Sequence, residues 1–144
     1  MLRPQLLQAI PTVEEFLRFC EVRDYPKRAT ILREGEASDK LYLILDGSVS
    51  VTVEDEHEEG HKMVVSYLNL GDFFGEMSLL ADADELRSAE VVTREASKVA
   101  EISYERFRKL MHQFPDILSA IARQMATRLR KTTFKLKNLA FVDV

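Results

Sequence analysis

LYLILDGSVSVTV, residues 41–53, consists of two β-rich runs around the pair Asp46-Gly47. Apolar and branched residues on both sides of an Asp-Gly pair predict two strands joined by a two-residue hairpin turn. Working outward, EDEHEEGHK (54–62) is a polar tip between Val53 and Met63. MVVSYL (63–68), AEVVT (89–93) and KVAEIS (98–103) read as further short strands. Many short strands with turn signals at this spacing predict a β-sandwich or a rolled barrel over residues 25–103.

Helices flank this region. PTVEEFLRFC (11–20) predicts a helix over 12–20, with Thr12 and Glu15 at capping-box spacing. Val13, Phe16, Leu17 and Cys20 share one face, which puts Cys20 in the core. YERFRKLMHQF (104–114) places Tyr104, Phe107, Leu110, Met111 and Phe114 on one side. Pro115 is expected to break it, and Asp116 to cap a helix from about Ile117 to Leu139 within a helical region reaching 142. In that helix Leu118, Ala122, Met125, Leu129, Thr132, Leu136 and Leu139 alternate spacings of four and three. The seam covers three heptads, roughly 33 Å, and a narrow seam of that kind seeks another helix more than a broad core face. A homodimer through Leu118 to Leu139 is the expectation, against packing onto its own β-domain.

The chain has 144 residues, 46% apolar and 31% charged, which suits one domain with one core. It has no run of eighteen apolar residues and no secretory pattern at MLRPQLLQAIP, so no membrane span or signal is expected. A lone cysteine makes no internal disulfide and fits a reducing cytoplasm. The net charge of −4 is no footprint for nucleic acid. Residues 117–142 nevertheless hold Arg123, Arg128, Arg130, Lys131, Lys135 and Lys137 and no acid, read as a solvated basic helix face. His57 and His61 sit four apart in a polar tip, and the only other histidine is His112, so no metal set is expected. Neither G-x-S-x-G nor a P-loop is present, and no enzyme is expected.

GDFFGEMSLLADADELRSAEVV (71–92) carries the chemistry. Gly75 allows close backbone approach, and free N–H groups at the start of a short helix would suit an anion. Arg87 offers a planar fork of donors and Ser88 a hydroxyl. Glu76 suits an anion site only as an acceptor for another group of the same ligand, such as a ribose hydroxyl. Spacing alone equally allows a Glu76–Arg87 ion pair that closes a loop.

FGEMSLLADADELRSA (74–89) resembles the phosphate-binding cassette of cyclic-nucleotide-binding domains, roughly F-G-E-[LM]-x-L, a short loop, then R-[ST]-A. LYLILDGSVSV, SYLNLGDFFGEM, VAEISYERFRKL and QMATRLRKTTFKLKNLAFVDV extend the resemblance, from Val13 to Val144, to the cyclic AMP receptor (Crp/Fnr) family. It implies a mainly β fold with flanking helices: a double-stranded β-helix, or jelly-roll-like β-roll, followed by a long C-terminal dimerisation helix. It also implies cyclic AMP (cAMP) as ligand, bound by Gly75, Glu76, Met77, Arg87 and Ser88. The Gly75 N–H, Arg87 and Ser88 would hold the cyclic phosphate, and Glu76 the ribose 2′-hydroxyl. Arg128, Thr132 and Thr133 take the family's purine-side positions, with Thr133 reaching the partner's ligand. Glu90 departs from the large apolar residue common there, and the Asp82 to Leu86 loop varies within the family. The ending LAFVDV resembles the hinge before a DNA-binding helix-turn-helix domain, with Asp143 as its cap. The chain is therefore expected to be the sensor part of a transcription regulator, meeting DNA and RNA polymerase only through a longer parent. The alternatives are a stand-alone protein, or a dimerisation module answering cyclic GMP, cyclic di-GMP or no ligand.

Overall fold

The computed structural model describes residues 2–36, 39–54, 60–76 and 89–142. The chain opens with α1 (Pro4–Ala9) and α2 (Val13–Leu17). Among the described residues eight strands follow: β1 (Glu21–Tyr25), β2 (Thr30–Leu32), β3 (Lys40–Asp46), β4 (Ser48–Glu54), β5 (Lys62–Asn69), β6 (Phe73–Phe74), β7 (Glu90–Thr93) and β8 (Ser97–Ser103). Two helices close it, α3 (Tyr104–Leu110) and α4 (Pro115–Val142). The strands form two four-stranded antiparallel sheets in the orders β1-β8-β3-β6 and β2-β7-β4-β5, the jelly-roll-like β-roll that the resemblance implied.

β3 explains why LYLIL is apolar without interruption. Tyr42 and Ile44 face the core between the sheets with Val49, Leu68, Phe74, Val91 and Val99. Leu41, Leu43 and Leu45 face the other way and pack under the helices with Phe16, Phe107, Phe114, Ile117 and Ile121. A strand buried on both faces loses the period-two alternation. Phe73 and Phe74 divide in the same way, one into each core.

The predicted Asp46-Gly47 hairpin is corrected. β3 pairs with β8 and β6, whereas β4 pairs with β5 and β7, so the chain passes from one sheet to the other at Gly47. Gly47 has φ +93°, and a Cβ there would lie 2.2 Å from Ser97 Oγ. The dipeptide marks a corner because its flanking strands find partners elsewhere. The true hairpin is β4–β5, in register from Ser48↔Asn69 to Glu54↔Lys62 around the polar tip.

Two other local expectations change. Residues 21–25 are already a strand, four residues earlier than expected, because EVRDY is almost wholly exposed and has no apolar period. Thr12 does not close a capping box: its Oγ1 donates to the Asp116 carboxylate at 2.6 Å and its backbone N–H at 3.2 Å. Asp116 is thus a tie between helices inside the first turn of α4, and Pro115 starts α4, where a missing N–H costs nothing. Cys20 packs against the helical core as expected, and burial pushes its thiol from 9.0 up to about 12.

Along α4, Ile117, Ala120 and Ile121 are buried against the β-roll. Leu118, Leu129 and Phe134 are exposed, while Met125 is partly buried against the core. Among the described residues no helix is long and apolar enough to cross a membrane.

Candidate functional site

The site grows from β6, the two-residue edge strand before Gly75. β3 covers one side of it, with Leu43 opposite Phe73 and Tyr42 opposite Phe74. On the other side, α4 supplies side chains in place of a fifth strand. Gln124 Oε1 accepts from Phe73 N–H at 2.8 Å, and Gln124 Nε2 donates to Gly71 O at 2.7 Å. One turn on, Arg128 Nη2 donates to Phe73 O at 2.5 Å and to Gln124 Oε1 at 3.3 Å. The edge groups of a strand need partners when covered, and an amide plus a guanidinium satisfies them here.

Beyond β6 the chain turns at Gly75, whose φ of +79° suits a residue without Cβ. The Tyr104 hydroxyl, at the start of α3, donates to Gly75 O. A trans peptide sends its N–H opposite to its C=O, so this bond directs the Glu76 N–H away from Tyr104. Glu76 itself is only 6% exposed. Its Oε1 lies 3.5 Å from Arg128 Nη1. Sequence spacing offered Arg87 as a partner of Glu76, and that pair lies outside the described residues; among the described residues the guanidinium beside Glu76 is that of Arg128, 52 residues on.

A cleft of about 440 Å3 opens between β5 and α4, lined by Val65, Ser66, Leu68, Arg128, Lys131 and Thr132 among others. Ser66 faces Val51 and Val64 faces Thr52, which leaves Val65 as an unpaired bulge residue. A bulge re-aims side chains at a rim, as here. Thr132 Oγ1 donates to Arg128 O at 3.0 Å, so its hydroxyl offers the cleft acceptor capacity. Thr133 is exposed on the adjacent face of α4.

Of the residues singled out from sequence, Arg128 and Thr132 line this cleft; Glu76 meets Arg128 at 3.5 Å, with Gly75 just before it, without lining the cleft itself. Met77, Arg87 and Ser88, with the Asp82 to Leu86 loop, lie outside the described residues. Glu90 opens β7, and its carboxylate holds Lys62 Nζ at 2.6 Å across β4, a polar cross-sheet tie. Gln124, Ser66, Leu68 and Tyr104 were not foreseen. The signal for Gln124 was its place four residues before Arg128; for Ser66 and Leu68 it was their shared face of MVVSYL.

This combination of a β-roll, a glycine turn followed by a buried carboxylate, and a basic helix over the cleft defines a class. The chain belongs to the cyclic nucleotide-binding domain family, which it matches over residues 22–114. Within that class it is similar to transcription regulators of the Crp/Fnr type. It is 48% identical over 137 residues to the cAMP-activated global transcriptional regulator CRP of Salmonella typhimurium, covering 95% of this chain and 64% of that protein. It is 42% identical to the cAMP-activated global transcriptional regulator Vfr of Pseudomonas aeruginosa, covering 92% of this chain and 62% of that one. Among solved structures, the c-di-GMP-responsive global regulator CLP of Xanthomonas campestris superposes with a TM-score of 0.81 at 37% identity, covering 91% of this chain and 64% of CLP. The chain thus spans slightly less than two thirds of the length of these relatives.

Proposed function

We propose that this chain is a cAMP-binding sensor and dimerisation domain of a bacterial transcription regulator. The observation that carries the reading is the meeting of Glu76 and Arg128 at 3.5 Å beside a cleft that also presents Thr132. A buried carboxylate suits a ribose hydroxyl, which donates to it. Arg87, Ser88 and the backbone N–H groups from Gly75 to Met77 then hold the cyclic phosphate, whose charge asks for a guanidinium and short donors. The Thr132 proton is committed to Arg128 O. Its oxygen therefore faces the purine as an acceptor, matching the 6-amino donor of adenine and opposing the 6-oxo acceptor of guanine.

The same helix supplies the dimer. Leu118 and Leu129 are exposed on the heptad side, and a second copy covers them, with Thr133 reaching across to the partner's ligand. In this arrangement 12–20, 25–103 and 104–142 form the sensor, cytoplasmic as the lone cysteine suggests. The sensor acts allosterically on a DNA-binding helix-turn-helix domain of the longer protein, and DNA and RNA polymerase are met only there. The relatives' greater length and names support this division.

The likeness to CLP supports a second reading in which the ligand is cyclic di-GMP. Calorimetric titration of the chain with cAMP, cyclic GMP and cyclic di-GMP separates the readings. The expected result is saturable binding of one cAMP per chain, tighter than either alternative. Tightest binding of cyclic di-GMP replaces the ligand, and no binding by any of the three reduces the chain to a dimerisation module.

A further inference from the structure

We infer that Gln124 is a positioning residue that couples nucleotide occupancy to the placement of α4; this rests on the nucleotide-binding reading above. Phe73 spends both of its main-chain groups on α4, its N–H on Gln124 at 2.8 Å and its C=O on Arg128 at 2.5 Å. Gln124 closes a second bond to Gly71 O at 2.7 Å, so one amide fastens two points of the segment leading into Gly75 and Glu76. Its Oε1 is shared: it also accepts from Arg128 Nη2 at 3.3 Å. Any ligand that draws Arg128 toward the cleft alters what Oε1 holds, and so reaches β6.

The helix side of the link is equally direct. Gln124 and Arg128 are four residues apart on the face toward the β-roll, about 6 Å along the axis. Met125 and Leu129, the next residue after each, belong by spacing to the seam proposed for the partner, and Leu129 is exposed there. A rotation or slide of α4 that repositions Leu129 must break or move the Gln124 amide, because β6 is fixed on its other side by β3. A polar pin between two packed elements has discrete arrangements and transmits a shift that apolar packing would absorb.

The test uses the chain with cAMP, measuring affinity by calorimetry and the dimer constant by sedimentation with and without saturating ligand. In the wild type, cAMP is expected to tighten the dimer on the order of 5- to 150-fold. Gln124→Met keeps length and apolar bulk but removes the bonds to Phe73 N–H of β6 and to Gly71 O before it. It is expected to weaken cAMP binding on the order of tenfold and to reduce the tightening below about threefold. A Gln124→Met chain that melts earlier yet keeps wild-type affinity and tightening makes Gln124 a structural pin only and overturns the inference. Should that variant not fold, Gln124→Glu decides: it keeps the acceptor toward Phe73 and loses the donor toward Gly71. Reduced tightening in it supports the coupling, and undiminished tightening overturns it. A wild type that binds cAMP without tightening its dimer overturns the inference alone. A wild type that binds no nucleotide overturns the functional reading as well, and that shows in the first titration.

Discussion

Glu76 is a carboxylate held at 6% exposure with a guanidinium 3.5 Å away, and that arrangement explains why it was conspicuous in sequence but not fully interpretable. A charge inside FFGEM needs a partner, so a partner had to exist. The partner seen among the described residues could not be read locally, since Arg128 comes from a helix more than a third of the chain away. Thr132 illustrates the same limit: its position on the helix was legible, but the commitment of its proton to Arg128 O follows only from the folded helix. Arg87 is the other guanidinium assigned to the ligand, the one basic residue in residues 71–92. On the proposed reading, Arg87→Ala removes the charge that offsets the cyclic phosphate, with an expected loss of about 2–5 kcal/mol, or roughly 30-fold to several thousand-fold in cAMP affinity. Calorimetry measures it, with the far-ultraviolet spectrum as a check on folding. A change below about threefold would remove Arg87 from the phosphate site.

Among the elements, strands were legible and their partners were not. β3, β4, β5, β7 and β8 fall close to where apolar runs and turn residues put them. Pairing is a property of the whole roll, and here the strongest hairpin signal in the chain is a corner between sheets. The local chemistry is the same in both cases, an Asp-Gly pair in which glycine takes positive φ; only the competition from β8 and β5 distinguishes them. Gly47→Ala tests the corner. It forces a side chain into the left-handed region and drives its Cβ to 2.2 Å from Ser97 Oγ. Backbone strain of this kind costs about 1–3 kcal/mol, and the contact adds to it unless Ser97 moves. Urea denaturation should show a lower midpoint with an unchanged slope. A Gly47→Ala midpoint equal to wild type would mean that the corner relaxes freely and that Gly47 is not needed there.

For the whole molecule, the question is what α4 does with two faces. Ile117, Ala120, Ile121, Gln124 and Arg128 hold it on the β-roll, and the heptad side looks outward. The heptad spacing was legible because α4 is long and helix periodicity is local. The division of labour was not, because Met125 belongs to the seam by spacing yet is partly buried against its own core. Leu129 is the decisive residue, being 68% exposed and outside either hydrophobic core. A leucine so exposed costs little in a monomer and gains much against a second copy of itself. Leu129→Asp should leave the fold intact, since it touches neither core, while two facing carboxylates in an apolar seam destabilise the pair by several kcal/mol. The wild type is expected to sediment as a dimer at micromolar concentration and Leu129→Asp as a monomer, with melting little changed. Because Thr133 is assigned to the partner's ligand, the monomeric variant should also bind cAMP less tightly, by about the worth of one neutral hydrogen bond, roughly 2- to 13-fold. A Leu129→Asp chain that remains dimeric places the interface elsewhere. One that becomes monomeric with undiminished affinity keeps the dimer but confines the nucleotide site to a single chain.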